Sequence, residues 1–424
     1  MSEIDRRRFL RLTGLGVAGM GLGSGLGTGL GRGVYASAAP ATGDLEMWSW
    51  NGDGTYPEIH QAARAQWEAA DDANGLRVTY TDFGQYVTRL KTVLAGGVPP
   101  DLVQMPWAGE YHDIIDANQL LALDDVIGAG FPALFQPIMD SLVYNDKTWA
   151  IPLDVNTLTI GYNLVAFEEA GVEVPTSLDE LIAIAEPLRA AGYEPLGVSA
   201  KDGWPMGDLW FAQVAYTDQS GDAIRRAERG EISWDDDVFV AAAANVEKMA
   251  KGGLFAEGGS ANDTATIVGQ FATERFAMMY PVGNFLTGLI DQTSGGEVAY
   301  DLFAFPSPDG SQDSISTGGV AEMFSVPMNG ENAEAAIELM RTFLSPEGLV
   351  ELVDRDFIPA TGDADTAAND DPIYVKMTSF QENAQTRVIY DPEVYAALTN
   401  EMTSLYNGDS TPDDVVKALA DAAG

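Results

Sequence analysis

Leu45-Glu46-Met47-Trp48-Ser49-Trp50 alternates as a β-strand, and the sixty residues after it complete the pattern that decides the fold. Residues 57–70 carry helical spacing at Ile59, Ala63 and Trp67, and Arg77-Val78-Thr79-Tyr80 is a second strand. Tyr86, Leu90, Val93 and Leu94 line one face of a second helix, Gly96-Gly97 stops it, and Asp101-Leu102-Val103-Gln104-Met105 is a third strand. The order β-α-β-α-β predicts an α/β fold with a mostly parallel sheet flanked by helices. Ligands of such sheets sit beyond the strand carboxyl ends. Those ends carry Trp50-Asn51, Asp82-Phe83 and Pro106-Trp107.

Outward from this unit, residues 156–163 read as a β-branched strand after Trp149-Ala150-Ile151-Pro152. Ser177 and Glu180 form a capping box that opens a helix, Pro175 blocks its extension backwards, and Gly192 ends it. Helices are expected over 204–216 and 238–251, and strands over 275–280, 302–306 and 323–327. Pro346, Pro392 and Pro412 each stand where a helix begins.

A chain of 424 residues exceeds what one core usually organises, so at least two domains are expected. Its 64 acids against 23 Lys and Arg give a net charge of −41. Nucleic acid is excluded as a partner, because phosphates need clustered cations and none occurs after residue 11. The acids are scattered over the chain, as in proteins of organisms with molar cytoplasmic salt, where a Debye length of ~3 Å makes self-repulsion tolerable. With no cysteine, disulfides and thiolate chemistry are absent. With only His60 and His112, a histidine-rich metal site is unavailable; His60 reads as a solvated helix residue and His112 as a rim residue. No metal or cofactor is expected.

Arg6-Arg7-Arg8-Phe9-Leu10, the weakly apolar stretch 12–30 and Ala36-Ser37-Ala38 together match a twin-arginine export signal over residues 1–38. Gly14-Leu15-Gly16-Val17-Ala18-Gly19 fits a dinucleotide fingerprint only formally, since no strand precedes it. The expected location is extracellular or at the cell surface, with an uncleaved signal as the alternative means of membrane association.

A series of stretches, in this order, resembles the sugar-binding extracellular solute-binding proteins, maltose-binding-protein-like, that serve ABC importers. They are Gly84-Gln85-Tyr86 with Gly96-Gly97-Val98-Pro99-Pro100-Asp101-Leu102, and Leu120-Leu121-Ala122-Leu123-Asp124-Asp125. Gly161-Tyr162-Asn163, Pro175-Thr176-Ser177-Leu178-Asp179-Glu180-Leu181 and Phe276-Ala277-Met278-Met279 follow, then Phe305-Pro306-Ser307-Pro308-Asp309-Gly310 and Phe343-Leu344-Ser345-Pro346-Glu347. The resemblance implies a periplasmic-binding-protein-like fold whose two α/β lobes close over a ligand. The expected first lobe is 39–155 plus about 284–330, and the second about 156–283 plus 331–424. Two features depart from the family: there is no lipidated Cys, and Gly283-Asn284-Phe285 stands where a G-x-W pattern is common.

A sugar offers hydroxyls on its rim and C–H groups on its faces, so its pocket needs flat aromatics beside short acids and amides. Candidate ligand residues are Trp50, Asn51, Asp82, Trp107, Asn156, Trp204, Asp208 and Trp210, with at least one of Trp204 and Trp210 expected on the ligand. The resemblance adds Asn284, Phe285, Gly318, Gly319 and Glu322. Asp154 either binds hydroxyls or caps local backbone, and Gly318-Gly319 either admits a ligand or makes a plain turn. Trp48, Trp67, Trp149 and Trp234 read as structural.

The expected function is a non-catalytic, monomeric receptor that takes a carbohydrate to the permease subunits of an ABC transporter. A same-fold receptor for a polyamine, a glycan-processing enzyme and a structural surface-layer component are the competing readings.

Overall fold

The computed structural model describes residues 42–424, apart from 53, 107–109, 125–138, 140–141, 219–220, 382–383 and 388–390. The export signal and Trp107 lie outside the described residues. The predicted β-α-β-α-β unit is β1 (Asp44–Ser49), α1 (Tyr56–Ala70), β2 (Gly75–Tyr80), α2 (Phe83–Gly96) and β3 (Leu102–Gln104). β1 pairs in parallel with β2 and with β3. Ile59, Ala63 and Trp67 share the buried face of α1, the stripe that its spacing predicts, and Tyr56 and His60 are buried with them. Burying a large apolar side chain such as Trp67 stabilises by roughly 1.5–3 kcal/mol. Asp82 caps α2 by accepting from Gly84 N at 3.1 Å, and Gly97, at φ 76°, closes it in the left-handed conformation.

The rest of this sheet comes from far along the chain. β4 (Ile151–Pro152) and β10 (Met323–Ser325) complete it in the order β2-β1-β3-β10-β4, and both β10 pairings are antiparallel. α6 (Ala333–Phe343) and α7 (Pro346–Val353) supply Leu339, Met340, Phe343 and Leu352 to the core that holds Ile59, Trp67 and Leu102.

One residue beyond β4 the chain enters β5 (Asp154–Asn163), the fully buried spine of a second sheet. Its hydrogen-bonded path is β12 (Gln385–Thr386), β9 (Thr317–Val320), β5, β7 (Phe276–Val282) and β6 (Glu194–Val198). β8 (Tyr300–Phe303) and β11 (Ile358–Pro359) also pair with β5. This sheet is mixed: only β6–β7 and β9–β12 are parallel. The mostly parallel expectation therefore holds for β1–β3 and needs correction elsewhere, because the later strands that pair with β3, β4 and β5 run against them.

Sheet membership also divides the chain differently from the expected lobe boundaries. β8 and β9, from the 284–330 segment, belong to the second sheet, while α6 and α7 pack with the first. One face of the second sheet is covered by α3 (Trp204–Thr217), α4 (Asp237–Lys251), α8 (Pro392–Asn407) and α9 (Pro412–Ala423), whose apolar faces form one core.

The predicted capping box is half realised. Ser177 accepts from Glu180 N at 3.2 Å, but the Glu180 carboxylate reaches Thr176 N at 2.8 Å. The helix it opens is interrupted at Ile184, since Pro187 has no N–H to offer Ala183. α7, α8 and α9 begin at Pro346, Pro392 and Pro412, as their positions predict.

Candidate functional site

The turn after β1 is built by side chains reaching across the sheet. Ser49 Oγ donates to Gln104 Oε1 at 2.6 Å, the same oxygen accepts from Trp50 N at 3.1 Å, and Asn51 N donates to Ser49 Oγ at 2.9 Å. Trp50 keeps a partly exposed ring, edge-on to Phe83 at 5.5 Å and to Tyr86 at 5.0 Å. Phe83 is 40% exposed, so an aromatic shelf stands at the carboxyl end of the parallel strands.

Beneath the turn lies a buried polar cluster. Asn51 Nδ2 donates to Glu322 Oε1 at 3.1 Å, and His60 Nε2 is 3.2 and 3.1 Å from the two Glu322 oxygens. The other His60 nitrogen is 3.0 Å from Tyr80 Oη. Glu322 N donates to Asp154 Oδ1 at 3.0 Å, and Tyr56 Oη donates to Asp154 Oδ2 at 3.0 Å. Asn284 Nδ2 donates to Val155 O at 3.2 Å and lies 3.5 Å from Asp154 Oδ2. Burial, then the neighbouring Glu322 charge, pushes the Asp154 carboxyl up to about 8, against the hydrogen bonds it accepts.

Asp154 and Asn156 are two apart on β5 and so share a face. Asn156 Oδ1 accepts from Arg387 Nη2 at 3.1 Å, and Arg387 Nη1 donates to Asp208 Oδ2 at 3.3 Å. Burial raises Asp208 to about 6, with the guanidinium pulling the other way. Trp204, in the first turn of α3, and Phe285, in the first turn of α5 (Asn284–Ser294), are both partly exposed, with ring centroids 6.2 Å apart at 53°. Two partly exposed aromatic rings therefore stand next to Asn284, whose amide reaches the buried polar row of β5. Among the described residues no group of three or more His, Asp or Glu is placed to hold a metal ion.

Residues 51–349 match the family model described as bacterial extracellular solute-binding protein. The chain belongs to this family. An uncharacterised ABC transporter extracellular-binding protein of Pyrococcus horikoshii is 25% identical to this solute-binding protein over 401 residues, 89% of this chain and 86% of that one. The diacetylchitobiose-binding protein of Streptomyces coelicolor is 22% identical over 339 residues, covering 74% and 70%. Among solved structures, a chitin oligosaccharide binding protein matches with a TM-score of 0.77 at 19% identity, covering 89% of this chain and 98% of its own; that likeness shows the two-lobed fold.

Of the residues expected on the ligand, this solute-binding protein leaves Trp50, Asn51, Trp204 and Phe285 partly exposed. Trp210 is corrected to the core: it is 0% exposed and stacks on Phe239, which Trp234 also meets. Its helix, α3, is buried nearly all round, so spacing gave no sign of which face the indole takes. Asp154, Asn284 and Glu322 are at most 1% exposed and bind one another's neighbourhood rather than open space. Asp208 and Asn156 are turned to Arg387. Gly318-Gly319 is not a plain turn: both residues lie inside β9, where a Cβ on Gly318 would stand 2.2 Å from Asn156 O. Trp48, Trp67, Trp149 and Trp234 are buried, as read.

His60 is the second correction. It is 0% exposed, because Glu322 and Tyr80 satisfy both ring nitrogens. His112 is partly exposed and stacks on Tyr144 at 4.0 Å. Arg387, Tyr56 and Gln104 were not legible as site residues. The one usable signal for Arg387 was the scarcity of cations, 23 against 64 acids.

Proposed function

We propose that this solute-binding protein captures a sugar or oligosaccharide outside the cell, between its two lobes, and delivers it to the membrane permease of an ABC importer. The observation that carries this reading is the partly exposed Trp204–Phe285 ring pair next to Asn284, whose amide reaches β5. Relatives named for diacetylchitobiose and for α-glucosides support the ligand class. Trp50, Asn51, Trp204 and Phe285 are the contact residues, and Asp154, Asn156, Asp208, Asn284 and Glu322 the supporting layer. The lobes are taken as 42–152 with 323–353, and 154–320 with 358–424, hinged where the chain crosses between sheets. Sugar touches both lobes only when they are closed, so its differential affinity draws the population to the closed form.

The reading extends to export as a folded chain by the twin-arginine route and to work in high salt. A monomer suffices for this task. Among the described residues no helix is long and apolar enough to cross a membrane. A polyamine receptor needs free carboxylates in the cleft, whereas Asp154, Asp208 and Glu322 are each at most 4% exposed and already engaged.

The test is a thermal-shift screen in molar KCl with maltotriose, raffinose, chitobiose and spermidine, since a ligand bound only by the native state raises its stability by RT ln(1 + [L]/Kd). A shift with at least one sugar, none with spermidine and no new product on chromatography is expected. A shift with spermidine alone, or turnover of the sugar, contradicts the reading.

A further inference from the structure

Glu322 is 0% exposed, and the groups that hold it come from two distant parts of the chain, residues 51–60 and Asp154. His60 on α1 stands 3.1 Å from Oε2, Asn51 Nδ2 donates to Oε1, and its own backbone is tied to Asp154. His60 is held in turn by Tyr80 and lies edge-on to Phe324 and Phe343, at 6.2 and 6.1 Å. Little around Glu322 is free to move. Asn51 is the exception, a partly exposed residue in the turn beyond β1.

We propose that Glu322 is a positioning residue for ligand capture: it pins the Asn51 amide nitrogen inward, so that Asn51 Oδ1 is presented to the ligand as a hydrogen-bond acceptor. The proposal rests on the sugar-receptor reading and deepens it, since it states which polarity the site shows to a hydroxyl. The physical reason is the inventory of donors and acceptors. Glu322 Oε1 accepts from Asn51 Nδ2, so the amide turns its nitrogen inward and its carbonyl oxygen away. The remaining polar atom of the amide is its carbonyl oxygen, and a sugar hydroxyl meeting it must donate. His60 keeps the carboxylate in place, because its Nε2 spans both oxygens. Glutamine at 322 has the same shape but one accepting oxygen in place of two, for which His60 Nε2 and Asn51 Nδ2 compete; with that oxygen on His60, the NH2 group faces Asn51 and its amide is released to flip.

The experiment uses the full chain in molar KCl, with Glu322→Gln, Asn51→Ser and the double variant. The Asn51 side-chain NH2 resonances, assigned by their disappearance in Asn51→Ser, are recorded without ligand; affinity for maltotriose, raffinose and chitobiose is measured by calorimetry. In Glu322→Gln the Asn51 amide signals are expected to move to free-amide positions. The affinity for whichever sugar binds is expected to fall about 10-fold, a hydrogen bond's worth. The double variant is expected to lose no more than Asn51→Ser alone, because both remove one contact. Additive losses, or unmoved Asn51 signals in Glu322→Gln, overturn the proposal. Asn51→Ser guards against a Glu322 variant that does not fold: it removes the acceptor itself, so sugar affinity should fall about 10-fold, and an unchanged affinity overturns the proposal. If no sugar binds the parent protein, the receptor reading fails, while the ligand-free amide signals still decide the positioning.

Discussion

Arg387 Nη1 meets Asp208 Oδ2 at 3.3 Å with the two side chains 8% and 4% exposed, so an ion pair between residues 179 apart in sequence is sealed behind β5. Removing one member of a buried pair leaves the other charge unmatched, at a cost of about 3–5 kcal/mol. Arg387→Ala should lose stability in that range by urea unfolding at fixed KCl. A loss below ~1 kcal/mol is the value of a solvent-screened surface pair and contradicts the burial described.

Asp154 sets a pH dependence whose sign is fixed by its surroundings. Its folded-state value of about 8 lies above the 3.8 of a free carboxyl, so between these values the native state keeps a proton that the unfolded chain releases. Stability from this group is therefore greatest at low pH and falls as pH rises to about 8, then levels. Asp154→Asn keeps an uncharged group of the same shape. The stability of the variant relative to the parent should climb from pH 4 to 8 by up to ~1.4 kcal/mol per pH unit, one proton's worth. Parallel stability curves over this window are the contrary result.

The two tryptophans of α3 should separate cleanly. Trp210 is enclosed by Phe239 and the core around it, so Trp210→Ala is expected to destabilise by ~3–5 kcal/mol. Trp204 keeps an exposed face, and Trp204→Ala should leave ligand-free melting within ~1 kcal/mol of the parent while weakening sugar binding. Melting curves of both variants without ligand decide it; equal destabilisation contradicts the assignment.

Gly318→Ala should not give a folded protein of normal stability. Its Cβ would stand 2.2 Å from a β5 carbonyl oxygen, so β9 and β5 must part. Gly96→Ala, with nothing within 4 Å, is the matched control and should melt as the parent does.

The acid excess of 64 over 23 predicts that the melting temperature rises from dilute buffer to molar KCl, as screening removes self-repulsion. An unchanged or falling value contradicts the reading of the surface as adapted to salt.

The first sheet was legible because its information is local: the alternation at 45–50, the helical stripe Ile59-Ala63-Trp67 and the stop at Gly96-Gly97 each concern a single element. Strand partners that arrive from about 220 residues away were not, since nothing local in Met323–Ser325 says that it pairs with Leu102–Gln104 rather than joining β9. The same distinction runs through the site. Trp50, Asn51 and Trp204 were candidates because they stand where strands and helices end, and Phe285 because of the resemblance; all four are partly exposed. His60 and Arg387 draw their meaning from partners on other elements, Glu322 and Asp208, so reading each residue in its own helix or loop misjudged the first and passed over the second. Trp210 was misjudged for a related reason: a helix apolar on every side carries no periodicity to say which ring faces out.

Calorimetric titration of the parent protein and of Trp204→Ala with maltotriose, raffinose and chitobiose, in molar KCl, tests the receptor assignment most directly. The account predicts saturable one-to-one binding of at least one of these sugars by the parent, weakened about tenfold or more in Trp204→Ala, as loss of a stacking face with its buried area requires. No binding by the parent, or equal affinity in both proteins, would contradict it.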